Sequence, residues 1–196
     1  MANTTRTFIA VEVPKGPSDQ LGRLQRSLGP EAPNVRWVAP EHFHITLAFL
    51  GDVPHNDIAP LCRAVGDAVA PFDRFELRLE GLGAFPSPQK PRVIWVGAIG
   101  PGADALVKLQ RAVADAVNAA GHPPDERFHP HVTIGRPKPG RGKPTDLAPM
   151  MPRYQTWSPG SLRVVEVVTF SSTQTAEGPI YAPLARAKLR GLEASD

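Results

Sequence analysis

Apolar positions recur along the chain at two periods, and the periods separate strands from helices. Thr7 to Val13 is β-branched and apolar, and Pro14-Lys15-Gly16-Pro17 stops it, which predicts a strand. Ser18 is a candidate N-cap for a helix carrying Leu21, Leu24 and Leu28 at spacings of three and four, ended by Gly29-Pro30. Val35 to Val38 reads as a short strand, and Phe43 to Leu50 as another closed by Gly51-Asp52. Ile58, Leu61, Val65 and Val69 form one helical stripe ahead of Pro71. Phe75, Leu77 and Leu79 alternate with Arg74, Glu76, Arg78 and Glu80, a strand with one wet face. Gly81 to Pro91 reads as a loop and Val93 to Ile99 as a strand. Asp104 opens a helix with Leu106, Leu109, Val113 and Val117 on one side, ending near Gly121. Phe128 to Arg136 is a strand, and Pro137 to Gly160 is irregular with one short helix near Thr145 to Met150. Leu162 to Phe170 is one strongly β-branched strand, with Ile180 to Leu184 as a short terminal partner.

Hairpin-length connections stand beside helical ones, so the fold class is α+β with antiparallel pairing. No Gly-rich phosphate loop of the P-loop or dinucleotide-binding type is present. A length of 196 residues fits a single domain over 1–196, and 41% hydrophobic against 21% charged residues suffices for a packed core. Cys62 is the one cysteine, which excludes an internal disulfide and a cysteine-based zinc cluster. No apolar run is long enough to span a bilayer, and the first residues lack a signal-peptide core, so no membrane partner and a cytoplasmic setting are expected. A formal charge of +3 and a pI of about 9.3 are compatible with an anionic ligand.

Four of the six histidines fall in two matching hexapeptides, His42-Phe43-His44-Ile45-Thr46-Leu47 and His129-Pro130-His131-Val132-Thr133-Ile134. Both read H-x-H-φ-T-φ, with φ a branched apolar residue. On a strand, positions i and i+2 share a face. His44 and Thr46 therefore share one face and Ile45 and Leu47 the other; His131 and Thr133 repeat the arrangement against Val132 and Ile134. Two such strands, from two halves of a duplicated fold, can face each other across a groove and present two imidazoles and two hydroxyls. That set suits metal-free phosphodiester chemistry: one His protonates a leaving oxygen, the other takes a proton from the nucleophile, and the hydroxyls hold non-bridging oxygens. An unperturbed pKa of about 6.5 lets imidazole serve either part near neutrality. Two other readings compete. The histidines can be ordinary strand residues, or His42, His44, His129 and His131 can ligate zinc; neither repeat contains a carboxylate, and a metal site has no use for the repeated Thr.

In these paired motifs the chain resembles the 2H phosphoesterase superfamily, defined by two His-x-Thr/Ser-x motifs. Within it, the chain is similar to the RNA 2′,3′-cyclic phosphodiesterases, historically called 2′-5′ RNA ligases. The likeness runs through Arg6-Thr7-Phe8-Ile9-Ala10-Val11, Val35-Arg36-Trp37-Val38, and Phe43 to Gly51. It continues through Pro91 to Gly97, Arg127 to Arg136, and Ser171 to Leu184 with Gly178-Pro179-Ile180-Tyr181. The family pattern needs one histidine per motif, which maps to His44 and His131 and leaves His42 and His129 incidental. The resemblance implies a bilobal, pseudo-two-fold fold, each lobe an antiparallel sheet with outer helices, and the two motifs facing a central cleft. It implies hydrolysis of RNA 2′,3′-cyclic phosphate ends to 2′-phosphomonoesters without a metal; no cofactor is expected, and a monomer is the default expectation. His44 is then the general acid and His131 the general base, with Thr46, Thr133 and Arg136 holding the phosphate.

Arg136 carries a difficulty of its own: in an ideal strand it points away from His131, so the strand must end or twist there. The run from Arg136 to Lys143 holds four basic residues, a candidate contact for an RNA backbone or simply a solvated loop. Trp37, Trp95 and Phe8 read as core in preference to base-stacking platforms, and Cys62 as a small buried filler. Two further functions remain open: action on 2′-5′-linked oligonucleotides or small cyclic nucleotides, and a non-catalytic protein that binds RNA ends. Intact His and Thr in both motifs argue against the last.

Overall fold

A computed structural model describes residues 3–124, 128–138, 145–175 and 178–191. Strand β1 (Thr4–Glu12) leads into helix α1 (Lys15–Leu28), followed by β2 (Val35–Trp37), β3 (His44–Pro54), α2 (His55–Val69), β4 (Phe75–Phe85) and β5 (Val93–Ile99). Helix α3 (Pro101–Ala119), β6 (His131–Pro137), β7 (Gly160–Val164), β8 (Glu166–Gln174) and β9 (Pro179–Lys188) complete it. The strands form one curled antiparallel sheet in the order β7-β4-β5-β6-β3-β1-β8-β9, with β2 added beside β6. Its middle is its weakest seam: β3 and β6 pair only through Ile45↔Val132. That seam divides the sheet into two four-stranded halves related by a pseudo-two-fold, in which β3, β1 and α1 correspond to β6, β5 and α3. The architecture is a curled antiparallel half-barrel with three helices, the α+β class and duplicated arrangement that the resemblance implies.

Alternation decides which face is buried. Ile9, Val11, Ile45, Leu77, Leu79, Ile94, Val96, Val132, Leu162 and Val164 pack with Leu21, Leu24 and Leu28 of α1, Leu61, Val65 and Val69 of α2, and Leu106, Leu109, Val113 and Val117 of α3. All three helices therefore cover one face of the sheet. The opposite, concave face keeps a smaller apolar cluster of Phe8, Ala10, Val168 and Phe170, flanked by Phe49 and Tyr181. None of the described helices is long and apolar enough to cross a membrane.

Several boundaries differ from the sequence reading for identifiable reasons. Helix α1 begins one turn before Ser18, because Pro17 falls in the first turn, where an amide hydrogen has no partner to lose. Ser18 is no cap; its hydroxyl donates to the Pro40 carbonyl at 2.8 Å. Gly51 and Gly81 do not end strands: both take positive φ, +66° and +81°, beside register shifts that let β3 and β4 continue. Residues 81–85 are thus strand and not loop. The stretch expected to hold a helix near 145–150 is irregular, and a short 3₁₀ turn follows at Met151–Tyr154. The β-branched run from Leu162 to Phe170 is two strands. Val165 carries the chain from β7 at one edge of the sheet to β8 on the far side of the seam, a long-range event that local propensity does not encode. Cys62 is only partly buried, with burial pushing its thiol pKa up and the Thr169 hydroxyl in contact with it.

Candidate active site

The two hexapeptides occupy the seam. Continuing the antiparallel register from Ile45↔Val132 sets His44 beside Thr133 and Thr46 beside His131 on the concave face. Strand geometry then separates the two histidine β-carbons by about 8 Å across the diagonal. Each half presents its His and its Thr, and the four groups alternate around one point. Among the described residues, neither the Thr46 nor the Thr133 hydroxyl has a protein hydrogen-bond partner.

Each imidazole is oriented in the same way. The Nδ1–H of His44 donates to the His42 carbonyl at 2.7 Å, and that of His131 donates to the His129 carbonyl at 2.6 Å. A carbonyl only accepts, so Nδ1 carries the proton and Nε2 is left as the basic nitrogen of the neutral ring. The first histidine of each hexapeptide is therefore not incidental in position, although its contribution here is a backbone oxygen. Its ring has a separate part. His42 packs on Tyr181 with centroids 5.0 Å apart, and His129 packs edge-on against Phe85 and Trp95, each at 5.0 Å. The rings thus face aromatic neighbours. Among the described residues no three His, Cys, Asp or Glu side chains converge on a metal position.

Aromatic walls flank both catalytic candidates. His44 lies 5.0 Å from Phe8 and 5.5 Å from Tyr181; His131 lies 5.4 Å from Phe85 and 5.9 Å from Trp95. Phe8 is buried, as expected, but on the concave face and not in the main core. Trp95 is half-buried on that face as well. Its ring lies across Gly83, where an added Cβ would come within 2.1 Å of it. Trp37, also half-buried, covers Gly135 in the same manner at 2.8 Å.

Burial sets the charge state of His44. Its pKa is pushed down from 6.5 to about 4, first by burial, then by the positive charges of His131, His42 and Arg136; the bond to the His42 carbonyl opposes the shift. Burial likewise raises the Tyr181 phenol, while Arg136 pulls it the other way.

The field of Arg136 at both His44 and Tyr181 means that its guanidinium serves the concave face, and a bulge explains how. Thr133 pairs with Trp95 and Gly135 with Ile94, so Ile134 is an extra residue in β6. The extra residue reverses the alternation, and Arg136 changes sides. The other half repeats the device: Thr46 pairs with Ala10 and Ala48 with Ile9, making Leu47 the extra residue and turning Phe49 to the concave face. The carbonyl of each bulge is held by a glutamine from the other half's helix. Gln25 of α1 donates to the Ile134 carbonyl at 2.8 Å and to the Val38 carbonyl at 2.7 Å; Gln110 of α3 donates to the Leu47 carbonyl at 3.2 Å. Sequence reasoning missed both bulges and both glutamines. The available signal was Gly135, an isolated glycine within a strand pattern. Of the basic run that begins at the end of β6, Arg136 and Lys138 are described and both exposed, while residues 139–144 lie outside the described residues.

A family model described as LigT like Phosphoesterase matches the chain twice, over residues 11–95 and 98–181, each match holding one of the two His-x-Thr motifs. An RNA 2′,3′-cyclic phosphodiesterase of Methanothermobacter thermautotrophicus is 34% identical over 179 residues, covering 91% of this chain and 96% of that protein. The protein of the same name from Aeropyrum pernix is 37% identical over 172 residues, covering 86% and 94%. Among solved structures, TT0787 of Thermus thermophilus superposes with a TM-score of 0.78 at 26% identity, covering 95% of this chain and 98% of that one. On the paired motifs, their shared geometry and the doubled family match, the chain belongs to the LigT-like phosphoesterase family.

Proposed function

We propose that the protein is a cyclic phosphodiesterase that hydrolyses RNA 2′,3′-cyclic phosphate ends to 2′-phosphomonoesters, without a metal, by general acid and base catalysis from two histidines. The observation that carries this reading is the seam: one pairing, Ile45↔Val132, brings both His-x-Thr pairs to one face with their imidazoles in the same tautomer. Relatives named RNA 2′,3′-cyclic phosphodiesterase, matched over most of their length, support the substrate class.

The cyclic phosphate sits between the two imidazoles, its non-bridging oxygens taken by the hydroxyls of Thr46 and Thr133 and by the Arg136 guanidinium. His131 Nε2 removes a proton from water as the water oxygen bonds to phosphorus. The bond from phosphorus to O3′ breaks in line, and His44 Nε2 gives O3′ a proton. The product is a 2′-phosphate with a free 3′-hydroxyl, and both histidines end in exchanged protonation states that solvent resets. A general acid must hold a proton, and burial with the neighbouring positive charges leaves His44 protonated only below about pH 4. The entering phosphate supplies a negative charge that offsets burial and the positive field of Arg136, and it is this charge that brings the proton onto His44 while His131 stays neutral as the base. Hydrolysis of cytidine 2′,3′-cyclic phosphate, followed by phosphorus NMR, tests the reading. A 2′-phosphate supports it. A 3′-phosphate reverses the acid and base labels, and no turnover removes the proposal.

A further inference from the structure

Far from the histidines, where β7 meets the ends of β4 and β9, a cavity of about 400 Å³ is lined by Asp73, Arg74, Arg163 and Arg190. Three guanidiniums and one carboxylate leave it cationic. Arg190 grips Asp73 with two parallel bonds, at 2.7 and 3.0 Å. Among the described residues, Arg74 and Arg163 have no carboxylate within ion-pair distance, although Glu76 stands opposite Arg163 in register. Bidentate donors with no acidic partner are the usual recognition element for phosphate.

The cavity lies on the same face of the sheet as the active site. Leu162 and Val164 point into the helix-covered core, so Arg163 between them points to the concave side. Leu77 and Leu79 do the same for Glu76 and Arg78 on β4. A continuous path leads across the strands: His131 pairs with Gly97, Gly97 with Glu80, and Glu76 with Arg163. Three strand steps sideways and four residues along β4 separate the cavity from His131 by roughly 20 Å. Along this path Glu80 is neutralised by Arg78 at 2.6 Å, so its carboxylate does not bar an anion.

We propose that the Arg74–Arg163–Arg190 cavity is a second phosphate site that holds the backbone of the RNA chain while its cyclic end lies between the histidines. The proposal rests on the substrate class argued above. It makes the enzyme sensitive to substrate length: a mononucleotide reaches only the seam, whereas a longer strand reaches both sites. A free phosphate anion has the same chemistry, and competition separates the two sources.

The test compares KM for cytidine 2′,3′-cyclic phosphate and for an RNA of about 15 nucleotides ending in a 2′,3′-cyclic phosphate, with wild type and an Arg74→Ala/Arg163→Ala variant. Both side chains are exposed, so the fold should survive. The variant should raise KM for the long RNA about tenfold at low salt and leave the mononucleotide unchanged. Two lost contacts to a single strand should lower the salt slope of its binding by about 1.4. Arg163→Glu should act in the same direction. Equal loss on both substrates, or no loss on the long RNA, overturns the site. Competition by inorganic phosphate that is removed by the substitutions, without any length effect, shows a site for a free anion and overturns the RNA assignment. If neither substrate turns over in wild type, it is the proposed function that fails, not the cavity.

Discussion

His44 should titrate near pH 4 in the free protein, and a phosphate ligand should move it sharply upward. A drop from 6.5 to about 4 corresponds to about 3 kcal/mol of preference for the neutral ring. The cause is burial against Phe8 and Tyr181 together with the charges of His131, His42 and Arg136. The unfolded chain takes up this proton at higher pH than the folded one. His44 therefore costs the fold nothing above about pH 6.5, and its share of stability is lost as pH falls from there towards 4. Two measurements read the shift. NMR titration of the His44 ring protons should give a midpoint near 4 without ligand and a midpoint several-fold less acidic in proton concentration with a 2′-nucleotide bound. Urea unfolding should show wild type losing more stability than His44→Gln between pH 7 and 4.5, by up to about 2.4 kcal/mol. A free-protein midpoint near 6.5 would refute the burial argument. A midpoint still near 4 with phosphate bound would refute His44 as the acid, because the group would be unprotonated when the leaving oxygen needs a proton.

Replacing His44 or His131 with Ala should each lower kcat by about 10²–10⁴-fold, and the double variant should lose less than the product of the two, as measured on cytidine 2′,3′-cyclic phosphate. His42→Ala and His129→Ala should cost under about tenfold in the same assay, since the oxygens that orient the His44 and His131 rings are backbone; a loss as large as that of His44→Ala contradicts this. Gln25→Leu removes a buried donor to the Ile134 carbonyl, which should cost about 1–3 kcal/mol in urea unfolding and raise KM through Arg136. Gly135→Ala should lower stability, because its methyl meets Trp37 and Val35 at 2.8 Å, and thermal unfolding reads the loss. Activity should survive exhaustive chelation; loss restored by zinc would return the four histidines to metal binding.

The strands, helices and paired motifs were legible because each is local. Leu77 and Leu79 against Arg78 and Glu80 announce a half-buried strand, and His44-Ile45-Thr46 carries its own facing rule. What was not legible depends on partners far along the chain. Whether Gly51 ends a strand or bends it is decided by its pairing with Thr7, and Val165 breaks a uniform β-branched run because its two sides pair with β4 and β1. The side on which Arg136 emerges depends on the bulge at Ile134, which Gln25 stabilises from over a hundred residues away. The carbonyls of His42 and His129 were invisible for a different reason: a sequence displays side chains, and these residues orient the site through their backbone.

The central claim, that two histidines at the β3–β6 seam open a cyclic phosphate toward the 2′ side, is tested most directly by one incubation. Metal-free protein is mixed with an RNA ending in a 2′,3′-cyclic phosphate, and the terminus is identified by phosphorus NMR and by resistance to a 3′-specific phosphatase. The account predicts a 2′-phosphate with a free 3′-hydroxyl from wild type and almost none from His44→Ala or His131→Ala. An unchanged cyclic end with wild type, or undiminished turnover in either variant, would contradict it.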